Sequence, residues 1–129
     1  MAISVVRLGD PRHRDEGLRL GTVRRPPRGV KKEDYAARDF FDVWMPELAP
    51  SAELVSWALS APFDPKRWAR YAKSYRSQMA KPPASRLIKL LAELSHQSNL
   101  SVGCYCEDET KCHRSLLREL LADAGAEIR

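Results

Sequence analysis

The stretch Leu100-Ser101-Val102-Gly103-Cys104-Tyr105-Cys106-Glu107-Asp108-Glu109-Thr110-Lys111-Cys112-His113-Arg114-Ser115-Leu116-Leu117 decides how this chain is read. Its first seven residues form an apolar run of strand length, and the acidic residues after Cys106 make a turn. Leu116, Leu117, Leu120, Leu121 and Ala124 then recur at helical spacing until Gly125 stops the helix. A strand, a tight turn and a helix are the repeating unit of an α/β domain with a mostly parallel sheet. Ligands in such sheets bind beyond the carboxyl ends of the strands, which makes the segment from Cys106 to Arg114 the expected site.

Working back from there, the other elements follow the same order. Ile3 to Leu8 is β-branched and stops at Gly9-Asp10-Pro11, a first strand. Leu18 to Val23 alternates apolar and polar residues, a second. Asp39 to Met45 is rich in aromatic and β-branched residues and ends at Pro46, predicting a third strand buried on at least one side. Ser51 caps a helix carrying Leu54, Val55, Trp57 and Ala58, and Asp64-Pro65 opens a longer one with Trp68, Tyr71, Ala72, Tyr75 and Met79 on its apolar face. After Pro82-Pro83, Leu87, Leu90, Leu91 and Leu94 predict a third helix with a leucine core face. A tiny final strand is open at Ala126-Glu127-Ile128. The expectation is one α/β domain over residues 1–129, with a mostly parallel central sheet of about four short strands flanked by helices.

The 129 residues carry 22 Lys+Arg against 17 Asp+Glu, a formal net charge of +5. Residues 1–40 hold 10 basic and 6 acidic residues, so the excess lies in the N-terminal third. Its densest part is Arg24-Arg25-Pro26-Pro27-Arg28-Gly29-Val30-Lys31-Lys32, where the prolines forbid a helix and predict a stiff basic loop. No apolar run approaches the ~20 residues that cross a bilayer, and no secretory leader is expected. The 3 cysteines, odd in number, speak against a disulfide framework and for a reducing, cytoplasmic setting.

The thiols are then core packing, ligands or chemistry. Cys112, His113 and Arg114 open the last helix, where free backbone N–H groups and the dipole favour an anion and a thiolate. An arginine at that position opposes the dipole unless an anion compensates it. The candidate catalytic residues are accordingly His113 as acid or base and Cys106 or Cys112 as nucleophile. Arg24, Arg28, Thr110 and Arg114 are the candidate ligand-binding residues. Sharper motifs fit poorly. A phosphatase loop needs arginine six positions after its cysteine, and Cys112 occupies that place after Cys106. Zinc on Cys104, Cys106, Cys112 and His113 requires adjacent residues 112 and 113 to converge from a helix start, with no paired CxxC, so no metal and no cofactor are expected. Neither GxGxxG nor GxxxxGK[ST] occurs.

The ordered set Pro27-Arg28-Gly29-Val30, Lys32-Glu33, Trp44, Glu47-Leu48-Ala49-Pro50-Ser51, Trp68, Tyr75, Cys112-His113-Arg114 and Leu117 resembles the domain-of-unknown-function family numbered 488, in its YeaO-like branch. The resemblance runs from Val6 to about Leu121 and implies a small prokaryotic cytosolic α/β protein. The family pattern carries a cysteine at the end of the last strand, matching Cys106, and the triplet Cys112, His113 and Arg114. Its basic segment matches at Arg24, Pro27, Arg28 and Gly29, but Val23 and Pro26 stand where the branch usually has an aspartate and an aromatic.

Three functions follow as expectations. The first is binding of an anionic small molecule, such as a nucleotide or another phosphorylated metabolite, between the basic loop and the 106–114 turn, with or without catalysis. The second is non-catalytic nucleic-acid binding through residues 24–32, with Trp44 or tyrosines stacking on bases. The third is a thiol redox switch joining Cys106 and Cys112.

Overall fold

The computed structural model describes residues 1–129. Four parallel strands, β1 (Ile3–Arg7), β2 (Leu18–Gly21), β3 (Val43–Trp44) and β4 (Leu100–Cys104), form one sheet in the order β1-β4-β2-β3. β4, last in sequence, lies in the middle: Val102 stands opposite Val5 of β1 and opposite Leu20 of β2. Helices α1 (Ala52–Leu59), α2 (Pro65–Met79) and α3 (Ala84–Leu94) precede β4, and α4 (His113–Asp123) follows it. After α4 the chain returns to the sheet edge, where Ile128 makes a parallel bridge to Ile3.

Alternation along the strands sorts the two faces of the sheet. Ile3, Leu20, Leu100 and Val102 turn to the helices and share a core with Tyr75 and Met79 of α2, Ile88 and Leu91 of α3, and Leu117 and Leu121 of α4. The opposite face is covered by irregular chain. There Phe41 lies so close over Gly21 that a Cβ at residue 21 would meet its ring at 2.3 Å. On the same face, from neighbouring register positions, Arg19 pairs with Glu16 and Ser101 Oγ donates to Glu16 Oε1 at 2.8 Å. Glu16 and Arg19 are 1% and 0% exposed, an ion pair sealed under the loops.

Local chemistry accounts for the helix starts. Ser51 Oγ accepts from the Leu54 N–H, and Gln78 of α2 brackets Ser51 with two further bonds. Asp64 accepts from Arg67 N–H, with Pro65 in the first helical position. Tyr75 OH donates to the Leu48 carbonyl at 2.8 Å, fixing the chain ahead of α1 to α2.

Three sequence expectations are corrected. The third strand is only Val43–Trp44, and both residues are exposed; the buried aromatic of that segment, Phe41, belongs to a loop that Asp39 turns with φ 62°. The last strand ends at Cys104, so Cys106 lies in the turn. The core face of α3 is Ala84, Ile88, Leu91 and Ala92, while Leu90 is 53% exposed.

Candidate functional site at the carboxyl ends of β2 and β4

The connections leaving the two central strands diverge. From β2 the chain passes outward to β3, and from β4 it passes through α4 toward β1, so a crevice opens between their carboxyl ends. The crevice is a cavity of about 720 Å³, within the usual range for a small-molecule site. Its floor is Cys104, Cys106, Cys112, His113 and Tyr71; one wall is Val23–Arg28, and the other is the α1 face with Val55 and Leu59, backed by Phe63.

The basic loop is held in place from three directions. Arg24 donates to the carbonyls of Pro50, Ala49 and Pro46 at 2.9, 3.2 and 3.2 Å. Tyr105 OH donates to the Arg25 carbonyl at 2.9 Å, and the Trp44 indole N–H to the Val23 carbonyl at 2.8 Å. Arg25, Arg28 and Lys111 are exposed and line the same cavity, and none of the three forms an ion pair. Four cations line this cavity and no carboxylate does.

At the floor, the Sγ atoms of Cys104, Cys106 and Cys112 lie within 4.8 Å of one another, Cys104 and Cys106 at 3.8 Å. Cys104 and Cys112 are buried and Cys106 is exposed. The thiol hydrogen bond from Cys104 and the nearby Cys112 thiol hold the Cys106 thiol far below the ordinary range, helped by the charge of the Arg114 guanidinium. The donors respond in the opposite sense. Cys104 is pushed up by its bonds to Cys106 and Cys112 and by burial. Cys112 rises to about 11: the Cys104 bond and the Arg114 backbone N–H lower it, but the Cys106 thiol and burial outweigh them.

His113 Nε2 lies 2.7 Å from the Thr22 carbonyl, which only an N–H can satisfy, so Nε2 carries the proton and Nδ1 is the free lone pair, 3.7 Å from Cys112 Sγ. Burial lowers its pKa to about 4 against that bond, and the imidazole is neutral at pH 7. Thr22 is tied in turn to β4, its hydroxyl donating to the Gly103 carbonyl at 2.9 Å.

The structure thus brings Cys106, Cys112, His113, Arg24 and Arg28 to one cavity. It does not bring Arg114 or Thr110 there. Arg114 is 4% exposed and donates from Nη2 to the Cys106 carbonyl at 2.5 Å, bracing the turn from behind. Thr110 is exposed and bonds Asp108 through its N–H and hydroxyl. Arg24 lines the cavity with its guanidinium engaged on carbonyls. Lys111, Tyr71 and the α1 wall were missed in the sequence. For Lys111 the available signal was its place directly before Cys112; Tyr71, read as core, is 5% exposed and serves both core and floor.

A family model described as "Active DUF488-N3 subclade" matches residues 3–125. The chain belongs to the DUF488-N3 family. A curated relative, the uncharacterized protein YeaO of Escherichia coli (strain K12), is 28% identical over 121 residues, covering 94% of this chain and 97% of that protein. No solved structure matches. Val23 is 4% exposed in a small core with Leu8 and Phe41, and Pro26 lines the cavity. No helix is long and apolar enough to cross a membrane.

Proposed function

We propose that this DUF488-N3 protein binds an anionic small molecule of nucleotide or phosphorylated-metabolite size in the β2/β4 cavity. The observation that carries the reading is a cavity with four lining cations, no lining carboxylate and no ion pair on any of the four, three of which, Arg25, Arg28 and Lys111, are exposed. Arg28, Arg25 and Lys111 face the anion, since a guanidinium fork and an ammonium are suited to phosphate or carboxylate oxygens. The apolar wall of Val55, Leu59 and Phe63 takes the uncharged body. Cys106 is the sulfur such a ligand meets first, because it alone of the three is exposed. The description of the matching subclade as active agrees with a site that does chemistry.

A concave site is favoured over a nucleic-acid surface by the aromatic residues. Tyr71 and Tyr75 are 5% and 0% exposed, which withdraws both rings from stacking on bases, and the exposed Trp44 is outside the cavity lining. The test is a thermal-shift screen of nucleotides, phosphorylated metabolites and short oligonucleotides on wild type and on the Arg28→Ala/Lys111→Ala double variant. A ligand at ~100 times its Kd adds about 2.7 kcal/mol to stability. The reading expects a small anion to raise the wild-type midpoint and to lose that effect in the double variant. Oligonucleotides alone raising the midpoint, equally in both proteins, would sink it.

A further inference from the structure

We propose that Cys104, Cys106 and Cys112 form a zinc site at the cavity floor, with three thiolate ligands from the protein and a fourth position open to the cavity. The sequence speaks against zinc because a fourth ligand from the chain would have to be His113, adjacent to Cys112. The structure removes that objection: His113 is turned to the Thr22 carbonyl, and three sulfurs converge without it.

The geometry fits the ion. Tetrahedral zinc with Zn–S bonds of ~2.3 Å holds its sulfurs about 3.8 Å apart. Cys104 and Cys106 already stand at 3.8 Å, and the remaining sulfur pairs lie within 4.8 Å, a gap that side-chain rotation closes. Neither rival use of the thiols explains the triangle. Core packing accounts for Cys104 and Cys112 but not for Cys106, which is exposed on the floor. A disulfide uses two sulfurs and leaves the third without a reason to be there.

The frame around the triangle is rigid and of the right sign. Each ligand comes from a separately anchored piece of chain: Cys104 from the hydrogen-bonded end of β4, Cys106 from the turn whose carbonyl Arg114 holds, and Cys112 from the residue that caps α4. Zinc with three thiolates carries one net negative charge, and the start of α4 and the buried Arg114 guanidinium lie beside it to offset that charge. On binding, thiol protons pass to the buffer and no oxidant or reductant is involved. Three protein ligands and an exchangeable fourth are the pattern of a zinc site that handles substrate rather than one that only staples a fold. The inference does not depend on the anionic-ligand reading, because metal uptake is read with no ligand present.

The test uses the full chain, reduced and stripped with chelator. Zinc is titrated in competition with a chromophoric chelator, and cobalt(II) is substituted to count thiolates by its near-ultraviolet charge-transfer band and its visible bands. The expectation is one equivalent of zinc per chain and a cobalt spectrum of three thiolates in tetrahedral geometry. Cys106→Ser should lower zinc affinity by at least ~100-fold, more than the loss of an outer-shell partner, and remove one thiolate from the band. Cys106 is exposed, so this variant folds where Cys104→Ser or Cys112→Ser could fail, and circular dichroism checks it. No cobalt–thiolate band, a Cys106→Ser variant that binds zinc as wild type does, or stoichiometric binding of copper(I) with no zinc uptake would each overturn the assignment. Failure here with a positive Arg28/Lys111 result leaves ligand binding standing, and the reverse outcome leaves the metal site.

Discussion

Replacing Arg19 by methionine removes the guanidinium of the sealed pair and keeps most of its volume. In the wild type Arg19 Nη2 lies 2.8 Å from Glu16 Oε2, and Nη1 donates to the carbonyls of Asp10 at 3.0 Å and Asp39 at 2.5 Å. Both side chains are nearly inaccessible, so the variant leaves a carboxylate buried with the Ser101 hydroxyl, the His13 N–H and, at 3.7 Å, the His13 imidazole. Breaking a buried pair from one side costs about 3–5 kcal/mol, which in a domain of this size lowers the unfolding midpoint by roughly 10–20 °C. The sign with pH follows from the carboxyl. Burial alone raises the Glu16 pKa, and the bonds from Arg19 and Ser101 outweigh it and hold the group below its ordinary value. In the wild type, stability from Glu16 is therefore present above the unfolded pKa of ~4.3 and lost as pH falls through the lower folded value. In Arg19→Met burial dominates and the folded pKa rises above ~4.3, so the penalty is full at pH 7 and shrinks on acidification. Urea unfolding of both proteins at pH 7 and near pH 4 should show a gap that narrows without closing, because the Asp10 and Asp39 carbonyls lose their donor at every pH. A gap below 1 kcal/mol at pH 7, or one independent of pH, would refute the account.

Other outcomes follow from single contacts. Tyr75→Phe leaves the buried Leu48 carbonyl without its donor and should cost ~1–3 kcal/mol in urea unfolding. Gly17→Ala should not yield a stably folded protein, since φ is +70° and the added Cβ would stand 1.9 Å from the Asn99 carbonyl oxygen; soluble expression and circular dichroism read this. Leu90→Lys, at a residue 53% exposed, should change stability by no more than ~0.5 kcal/mol, whereas Leu91→Lys should abolish folding.

Those last two substitutions show what a periodicity can and cannot give. Leucines at 87, 90, 91 and 94 look like one stripe, but the helix face is set by what lies opposite, and Ile88 with the small Ala84 and Ala92 meets the α4 side better. The class of fold, the order of its elements and the Cys106 to Cys112 turn were legible because strand and helix spacing is local. The third strand was not, because Phe41 is held by the empty space over Gly21, a contact with no local signature. Arg114 was misplaced for a related reason. Its guanidinium turns to a carbonyl eight residues earlier in the chain, a partner that local spacing does not reveal. The convergence of three sulfurs also depends on the third dimension: residue 112 returns to residues 104 and 106 only because the Glu109–Lys111 turn folds the chain back.

The central position of β4 also governs when this molecule can come into being. β1 and β2 are synthesised early, yet each pairs with β4 and not with the other, so the growing chain holds two strands with an empty seat between them. Closure waits for residues 100–104, a long-range event of the slow kind. The cysteines leave the ribosome with or directly after that strand. No sulfur-lined floor exists before the sheet closes, and assembly of the cavity coincides with the last step of folding.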